Sequence, residues 1–165
     1  MIAIDSQKIE QLLPETLSDS SRVWVYQAES VLTNSEVALI KKACEQFIPA
    51  WKAHGTNLQA DYRILFDRFL CLFVDESGQD ATGCSIDSSV HFVQQLEKTL
   101  GKSMMQRTQV IFLDEEGEVH EVEMNEMSGR IDSETLVFNN LITSLGEMKK
   151  GWLVPAKDSW HARML

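Results

Sequence analysis

The first half of the chain alternates between strand-like and helix-like hydrophobic patterns. Residues 22–27 are β-branched and aromatic, which predicts a strand, and a short helical segment at residues 9–13 precedes it. Thr33 and Glu36 have the spacing of a capping box, so we expect a helix to begin there. Apolar residues then recur at helical spacing until Pro49, which predicts an end or a kink.

Two apolar runs follow, at residues 62–66 and 69–74, separated by two polar residues. A short polar break between strand-like runs predicts a hairpin. The second run is apolar at every position, which is typical of a central strand buried on both faces. Apolar residues then recur at helical spacing from Ile86 onward until Gly101, which predicts a helix with a glycine C-cap.

The last third of the chain contains a second hairpin pattern. Residues 108–113 and 119–124 flank an acidic turn that has a glycine where a positive φ is needed. Beyond it we expect a strand at residues 136–138 and short helices at residues 144–150 and 158–163.

These elements predict an α+β fold, a mostly antiparallel sheet of two hairpins plus additional strands, with helices packed on it. The length of 165 residues and the absence of a linker or repeat indicate a single globular domain over residues 1–165. Residues 1–20 could form a loosely attached N-terminal segment of that domain.

The acidic balance of the chain argues against two classes of partner. Its net charge of -10 repels nucleic acids and anionic membrane surfaces, and its adjacent basic residues are limited to the pairs 41–42 and 149–150. No stretch reaches the ~18 apolar residues of a membrane span. We therefore expect neither nucleic acid nor a membrane as a partner.

Three cysteines, Cys44, Cys71 and Cys84, are an odd number and lack the paired spacing of zinc ligands. The N-terminus has no basic region followed by a long apolar run, so no export signal is expected. Reduced thiols and a missing export signal predict a cytoplasmic location. We expect no cofactor, because no complete binding motif for one is present.

The candidate functional site is the segment 83–89, which we expect to be a turn that opens the third helix. Because the free amides and positive end of a helix attract anions, Ser85, Asp87, Ser88 and Ser89 are candidate anion-binding residues. An alternative stays open, in which Ser85 or Asp87 caps the helix and nothing binds there.

Cys84 in that segment is a candidate catalytic residue, because a thiol at the start of a helix can be a reactive thiolate. His54 is a second candidate, as a general base. Asp75, Glu76 and Asp87 are weak candidates for metal binding, since carboxylates near one loop can hold a cation. The four histidines include no pair at a metal-ligand spacing.

Nucleotide hydrolysis of the P-loop kind is excluded by the residues themselves. Gly78 and Gly83 have the spacing of the two glycines of a phosphate loop, but Cys84 and Ser85 stand where its lysine and its hydroxyl residue are required. The GxGxxG and GxSxG motifs are absent as well.

Five segments carry a resemblance to a known family: residues 83–89, 107–110, 113–117, 136–141 and 152–160. Together they resemble an uncharacterised family of small bacterial proteins of similar length, and the likeness spans residues 21–165. Proteins of that family are often labelled "ABC transporter ATPase". The resemblance implies membership, but a transport ATPase needs the phosphate loop that is absent here.

The function itself is left open between three hypotheses. The first is a small cytosolic binding or interaction protein without complete catalytic machinery. The second is a small enzyme that acts on an anionic small molecule through Cys84 or through a metal held by Asp75 and Asp87. The third is a subunit that pairs with itself or with another protein through the segment 152–160, because tryptophan is enriched at interfaces.

Overall fold

The computed structural model of the protein describes residues 6–165. Helix takes 36% and strand 27% of the structure, and every pairing between its strands is antiparallel, which confirms the α+β class. The chain forms two compact units, an N-terminal unit of Pro14–Gln106 and a C-terminal unit of Arg107–Leu165 together with residues 6–13. The expectation of a single domain stays a prediction.

The helices and strands follow one another along the chain as α1 (Ser6–Gln11), β1 (Arg22–Gln27), α2 (Asn34–Ala50), β2 (Lys52–Ala53), β3 (Thr56–Asn57), β4 (Gln59–Leu65), β5 (Phe69–Asp75), α3 (Gly83–Leu100), β6 (Gln109–Leu113), β7 (Val119–Glu123), β8 (Leu136–Phe138), α4 (Leu145–Gly151) and β9 (Leu153–Pro155). Short 3-10 helices cover Met124–Glu126, Ala156–Asp158 and Trp160–Met164. None of the helices in this described part of the chain is long and apolar enough to cross a membrane.

The N-terminal unit is built on a three-stranded sheet in the order β1-β5-β4. Strand β5 is central, as its uninterrupted apolar run predicts, and every one of its residues is buried. The alternate residues Leu70, Leu72 and Val74 join one core with Ile40 of α2 and Val93 of α3. Helices α2 and α3 therefore pack on the sheet through a shared apolar core.

The two helices begin and end for identifiable reasons. Helix α2 starts at the predicted capping box, in which the Thr33 hydroxyl accepts a hydrogen bond from the amide of Glu36 and the Glu36 carboxylate accepts one from the amide of Thr33. Pro49 lies in the last turn, and the helix ends where Trp51 becomes extended. Helix α3 ends at Gly101, whose φ of 68° is the left-handed C-cap conformation.

The hairpin between β4 and β5 contains a buried arginine that the sequence pattern does not reveal. Phe66 and Asp67 adopt positive φ, and Arg68 is only 1% exposed. Its guanidinium donates hydrogen bonds to the carbonyls of Ala28 (2.8 Å) and Glu29 (3.1 Å). The polar break therefore ties the hairpin to the segment after β1.

The C-terminal unit contains a four-stranded sheet in the order β7-β6-β8-β9. Strands β6 and β7 form the predicted second hairpin, with Gly117 at a φ of 84°. The core of this unit joins residues of the sheet to the segments around it: Val110, Phe112, Val122, Met127, Ile131, Val137 and Ala156. The terminal helix expected at residues 158–163 is a 3-10 helix, Trp160–Met164.

Candidate functional site

The segment 83–89 opens the third helix, as expected, but it does so as the first two turns of α3 and not as a turn that leads into the helix. The N-cap is Thr82, whose hydroxyl accepts a hydrogen bond from the amide of Ser85 at 3.2 Å. The Ser85 hydroxyl accepts one from the amide of Thr82 at 2.6 Å, which completes a capping box. Ser85 therefore takes part in capping from the third helical position, and Asp87 lies beyond the cap.

The three serines of that segment differ in their exposure. Ser85 and Ser89 are buried, and the Ser89 hydroxyl donates to the carbonyl of Ile86 at 2.6 Å. Ser88 is exposed, and its hydroxyl donates to the carbonyl of Cys84 at 2.9 Å. An anion in solvent cannot reach the buried pair, because both hydroxyls lie inside the unit and are bonded to their own helix or its cap.

A series of aromatic side chains connects the sheet to the surface of α3. The rings of Trp24 and Trp51 have centroids 5.8 Å apart, and those of Trp51 and Phe47 are 5.1 Å apart. Phe47 stacks on Phe92 at 4.3 Å with only 5° between the ring planes. The indole nitrogen of the buried Trp51 donates to the carbonyl of Ser85 at 2.8 Å, so this series also holds the first turn of α3 in place.

The stacked phenylalanines form part of an open groove on the surface of the N-terminal unit. We call it the apolar groove; its volume is about 610 Å³ and its lining residues are Phe47, Cys84, Asp87, Ser88, His91, Phe92 and Gln95. A second depression of about 520 Å³, the polar groove, is lined by Glu29, His91, Gln94, Gln95, Glu97, Lys98, Gly101, Lys102 and Ser103. His91 and Gln95 belong to both, so the two grooves adjoin along the outer face of α3.

Cys84 is an exposed free thiol in the apolar groove. His91 lines the same groove, but it follows Cys84 by seven residues, about 10 Å along the helix axis. No hydrogen bond joins the two side chains within the described residues, so a nucleophile–base pair is not assembled there. Burial raises the pKa of Cys44 to about 12 and also raises that of Cys71, which keeps both of those thiols protonated.

The candidate metal-binding carboxylates hold the loop between β5 and α3. Asp75 accepts hydrogen bonds from the amides of Ser77 (2.9 Å) and Ser18 (3.5 Å). Bonding to the hydroxyl and amide of Ser77 lowers the pKa of Asp75. Glu76 accepts a bond from the amide of Ala81 at 3.0 Å and pairs with Arg22 at 3.4 Å. Residues 6–165 contain no group of three or more His, Cys, Asp or Glu that could hold a metal ion.

His54 lies at the exposed tip of the β2–β3 hairpin, where its φ is 51° and that of Gly55 is 75°. Positive φ at both positions is what a tight hairpin turn requires. Neither groove includes this histidine, so the structure does not bring it together with Cys84.

The tryptophans of the segment 152–160 lie in different surroundings. Trp152 is 0% exposed, its ring is 4.8 Å from that of Phe138, and its indole donates to the side chain of Asn140 at 2.9 Å. The ring of Trp152 therefore belongs to the core and is not accessible to a partner, while the hypothesis that the segment 152–160 pairs with a partner stays a prediction. Trp160 is half-buried and stacks on the imidazole of His161 at 3.9 Å.

His161 is also buried, and its Nδ1 lies 2.7 Å from the hydroxyl of Ser159. Burial lowers the pKa of this imidazole to about 4. The ring is therefore neutral near pH 7 and forms part of the folded C-terminal unit.

Comparisons with family models, with curated proteins and with solved structures give no match for this chain. The family resemblance of the five sequence segments therefore stays a prediction.

The sequence missed the two residues that define the apolar groove. The apolar spacing of α2 includes Phe47, but such spacing does not distinguish a core residue from a groove residue. Phe92 lies outside the apolar series of α3, which is Ile86, Val90, Val93, Leu96 and Leu100. The signal that could have found them is the spacing of Cys84, Ser88, His91 and Gln95, which places these four residues on one face of a helix beside Phe92.

Proposed function

We propose that this protein is a binding protein without catalytic machinery, and that the apolar groove takes an apolar or aromatic group of its ligand. The observation that carries the proposal is the stacked pair of Phe47 and Phe92 in a groove open to solvent. Apolar surface with a few polar groups around it is the usual composition of a ligand site.

The surroundings of the rings support a binding role. Asp87, Ser88, His91 and Gln95 offer hydrogen-bonding groups beside the apolar surface, which can orient a ligand. Trp51 fixes the groove from below through its ring contact with Phe47 and its bond to Ser85. A groove held in this way needs little ordering when a ligand binds.

The catalytic alternative has less support. Cys84 is accessible, but the potential base of its groove, His91, lies two helical turns away. Asp75 and Glu76 already accept bonds from backbone amides of their loop. A cytoplasmic location is part of the proposal, and free thiols at all three cysteines are consistent with it.

A fragment titration followed by amide NMR spectra tests the binding proposal. Small aromatic and aliphatic compounds should shift the amide signals of Cys84, Ser88, His91 and Gln95. Ser88→Arg fills the rim of the groove and should abolish these shifts. Ala38→Arg adds the same side chain at an exposed position of α2 outside both grooves and should leave them unchanged. Shifts that are absent, or that survive Ser88→Arg, would count against the proposal.

A further inference from the structure

The outward side chains of α3 form one stripe that runs along both grooves. Its members recur every three or four residues and are exposed: Cys84, Asp87, Ser88, His91, Gln94, Gln95 and Lys98. This spacing keeps them on one side of the helix. A partner that lies along α3 would therefore meet all of them at once.

Most charged groups of the polar groove are already engaged within the unit. Glu29 and Glu97 accept hydrogen bonds at 2.7 and 2.9 Å from backbone amides of the loop that follows α3. Lys102 pairs with Glu36 at 2.9 Å. These three side chains stabilise the loop, and recruiting them for a partner would break those contacts.

Asp87 and Lys98 differ from those groups. Both are exposed, and neither makes a hydrogen bond or ion pair with any residue that the structure describes. They are eleven positions apart, which is three helical turns and about 16 Å. The stripe thus carries one unpaired negative charge and one unpaired positive charge on the same side of the helix.

The two charges lie on either side of His91 and Gln95, the residues that the grooves share. The midpoint of the pair falls between Phe92 and Val93, one residue beyond the middle of α3. A second copy packed antiparallel on this midpoint would place each Asp87 opposite the partner's Lys98. A two-fold axis forms that pair twice, whereas a parallel arrangement would oppose like charges.

We propose that a second copy of this chain binds along the outer face of α3, antiparallel and two-fold symmetric, with Asp87 paired to the partner's Lys98. The inference rests on the proposed function, because it names the partner of the same surface. The stacked rings of the apolar groove lie along the same stripe and are covered in the same contact. The net charge of -10 on each copy opposes association at long range, so the dimer is weak and reversible.

Sedimentation equilibrium on a charge-swap series tests the dimer. The wild-type chain should dimerise reversibly, and Asp87→Lys or Lys98→Asp alone should raise the dimer Kd at least about tenfold, because each places like charges in contact. The double variant restores opposite pairs with the original net charge and should return the Kd to within about threefold of wild type. Lys41→Asp, exposed on α2 and outside both grooves, changes the net charge as Lys98→Asp does and should leave the Kd near the wild-type value.

Two results would overturn the dimer. One is a wild-type chain that stays monomeric at its highest soluble concentration, and the other is a double variant as weak as the single ones. Circular dichroism of each variant separates lost pairing from lost folding. Fragment shifts in the apolar groove that persist in a monomeric protein would leave the binding function standing without a second copy as its partner.

Discussion

The two grooves along α3 share a helix face but use their polar side chains differently. In the polar groove, the Glu97 carboxylate accepts a hydrogen bond from the amide of Met104, and Lys102 forms an ion pair with Glu36. In the apolar groove, Asp87 has no partner among the described residues, although it occupies the same exposed face. The comparison teaches that Glu97 and Lys102, near the end of α3, stabilise the fold, whereas Asp87, near its start, is free for a ligand.

The largest change in stability is expected at Trp51, which packs under the apolar groove. Trp51→Phe removes the indole bond to Ser85 and part of a fully buried ring, so the free energy of unfolding should fall by about 2–3 kcal/mol. Urea denaturation measures the loss. Trp24→Phe is the matched control, because Trp24 is only partly buried, and it should cost about 1 kcal/mol or less. Equal losses would show that the bond to Ser85 does not hold α3.

Two histidines, the buried His161 and the exposed His91, give a second comparison between a side chain inside the fold and one in a groove. His161 is buried and its folded pKa, about 4, lies below the ordinary value of 6.5. Between these values the unfolded chain takes up a proton that the folded chain does not, so the contribution of His161 to stability falls as the pH drops from 6.5 to 4 and then levels off. The loss should reach about 1–3 kcal/mol.

Urea denaturation across that pH range distinguishes the two histidines. His161→Gln should remove most of this pH dependence, at the cost of lower stability near pH 7. The exposed groove residue His91, changed to Gln, should leave the pH dependence in place. A slope that survives His161→Gln would assign the effect to other groups.

The main strands could be predicted from the sequence because buried strands appear in it as runs of apolar residues. Residues 69–74 of β5 are all apolar. The capping box of Thr33 and Glu36 uses the preferred residue types at the preferred spacing. The second capping box was missed because Ser85 stands where glutamate or glutamine is usual. The two-residue strands β2 and β3 are too short to leave a periodic pattern.

The candidate site was predicted only in part, for a reason that lies in α3. The segment 83–89 does border the apolar groove, through Cys84, Asp87 and Ser88. Its buried side includes Ser85 and Ser89, whose hydroxyls bond to carbonyls of the helix or its cap. Such hydroxyls can be buried, but a hydrophobicity pattern assigns only apolar residues to the core. The stacking of Phe47 on Phe92 joins two helices, so neither helix alone predicts it.

The smallest effect compares one carboxylate from each groove directly. Glu97→Ala removes a carboxylate that accepts a hydrogen bond from the amide of Met104 at 2.9 Å, so the free energy of unfolding should fall by about 1–2 kcal/mol. Asp87→Ala removes a carboxylate without such a partner and should stay within about 0.5 kcal/mol of wild type. Urea denaturation of the two variants under identical conditions provides the measurement, with dilute protein so that self-association adds nothing. If Asp87→Ala proves as costly as Glu97→Ala, Asp87 serves the fold, and the assignment of free charge to the start of α3 fails.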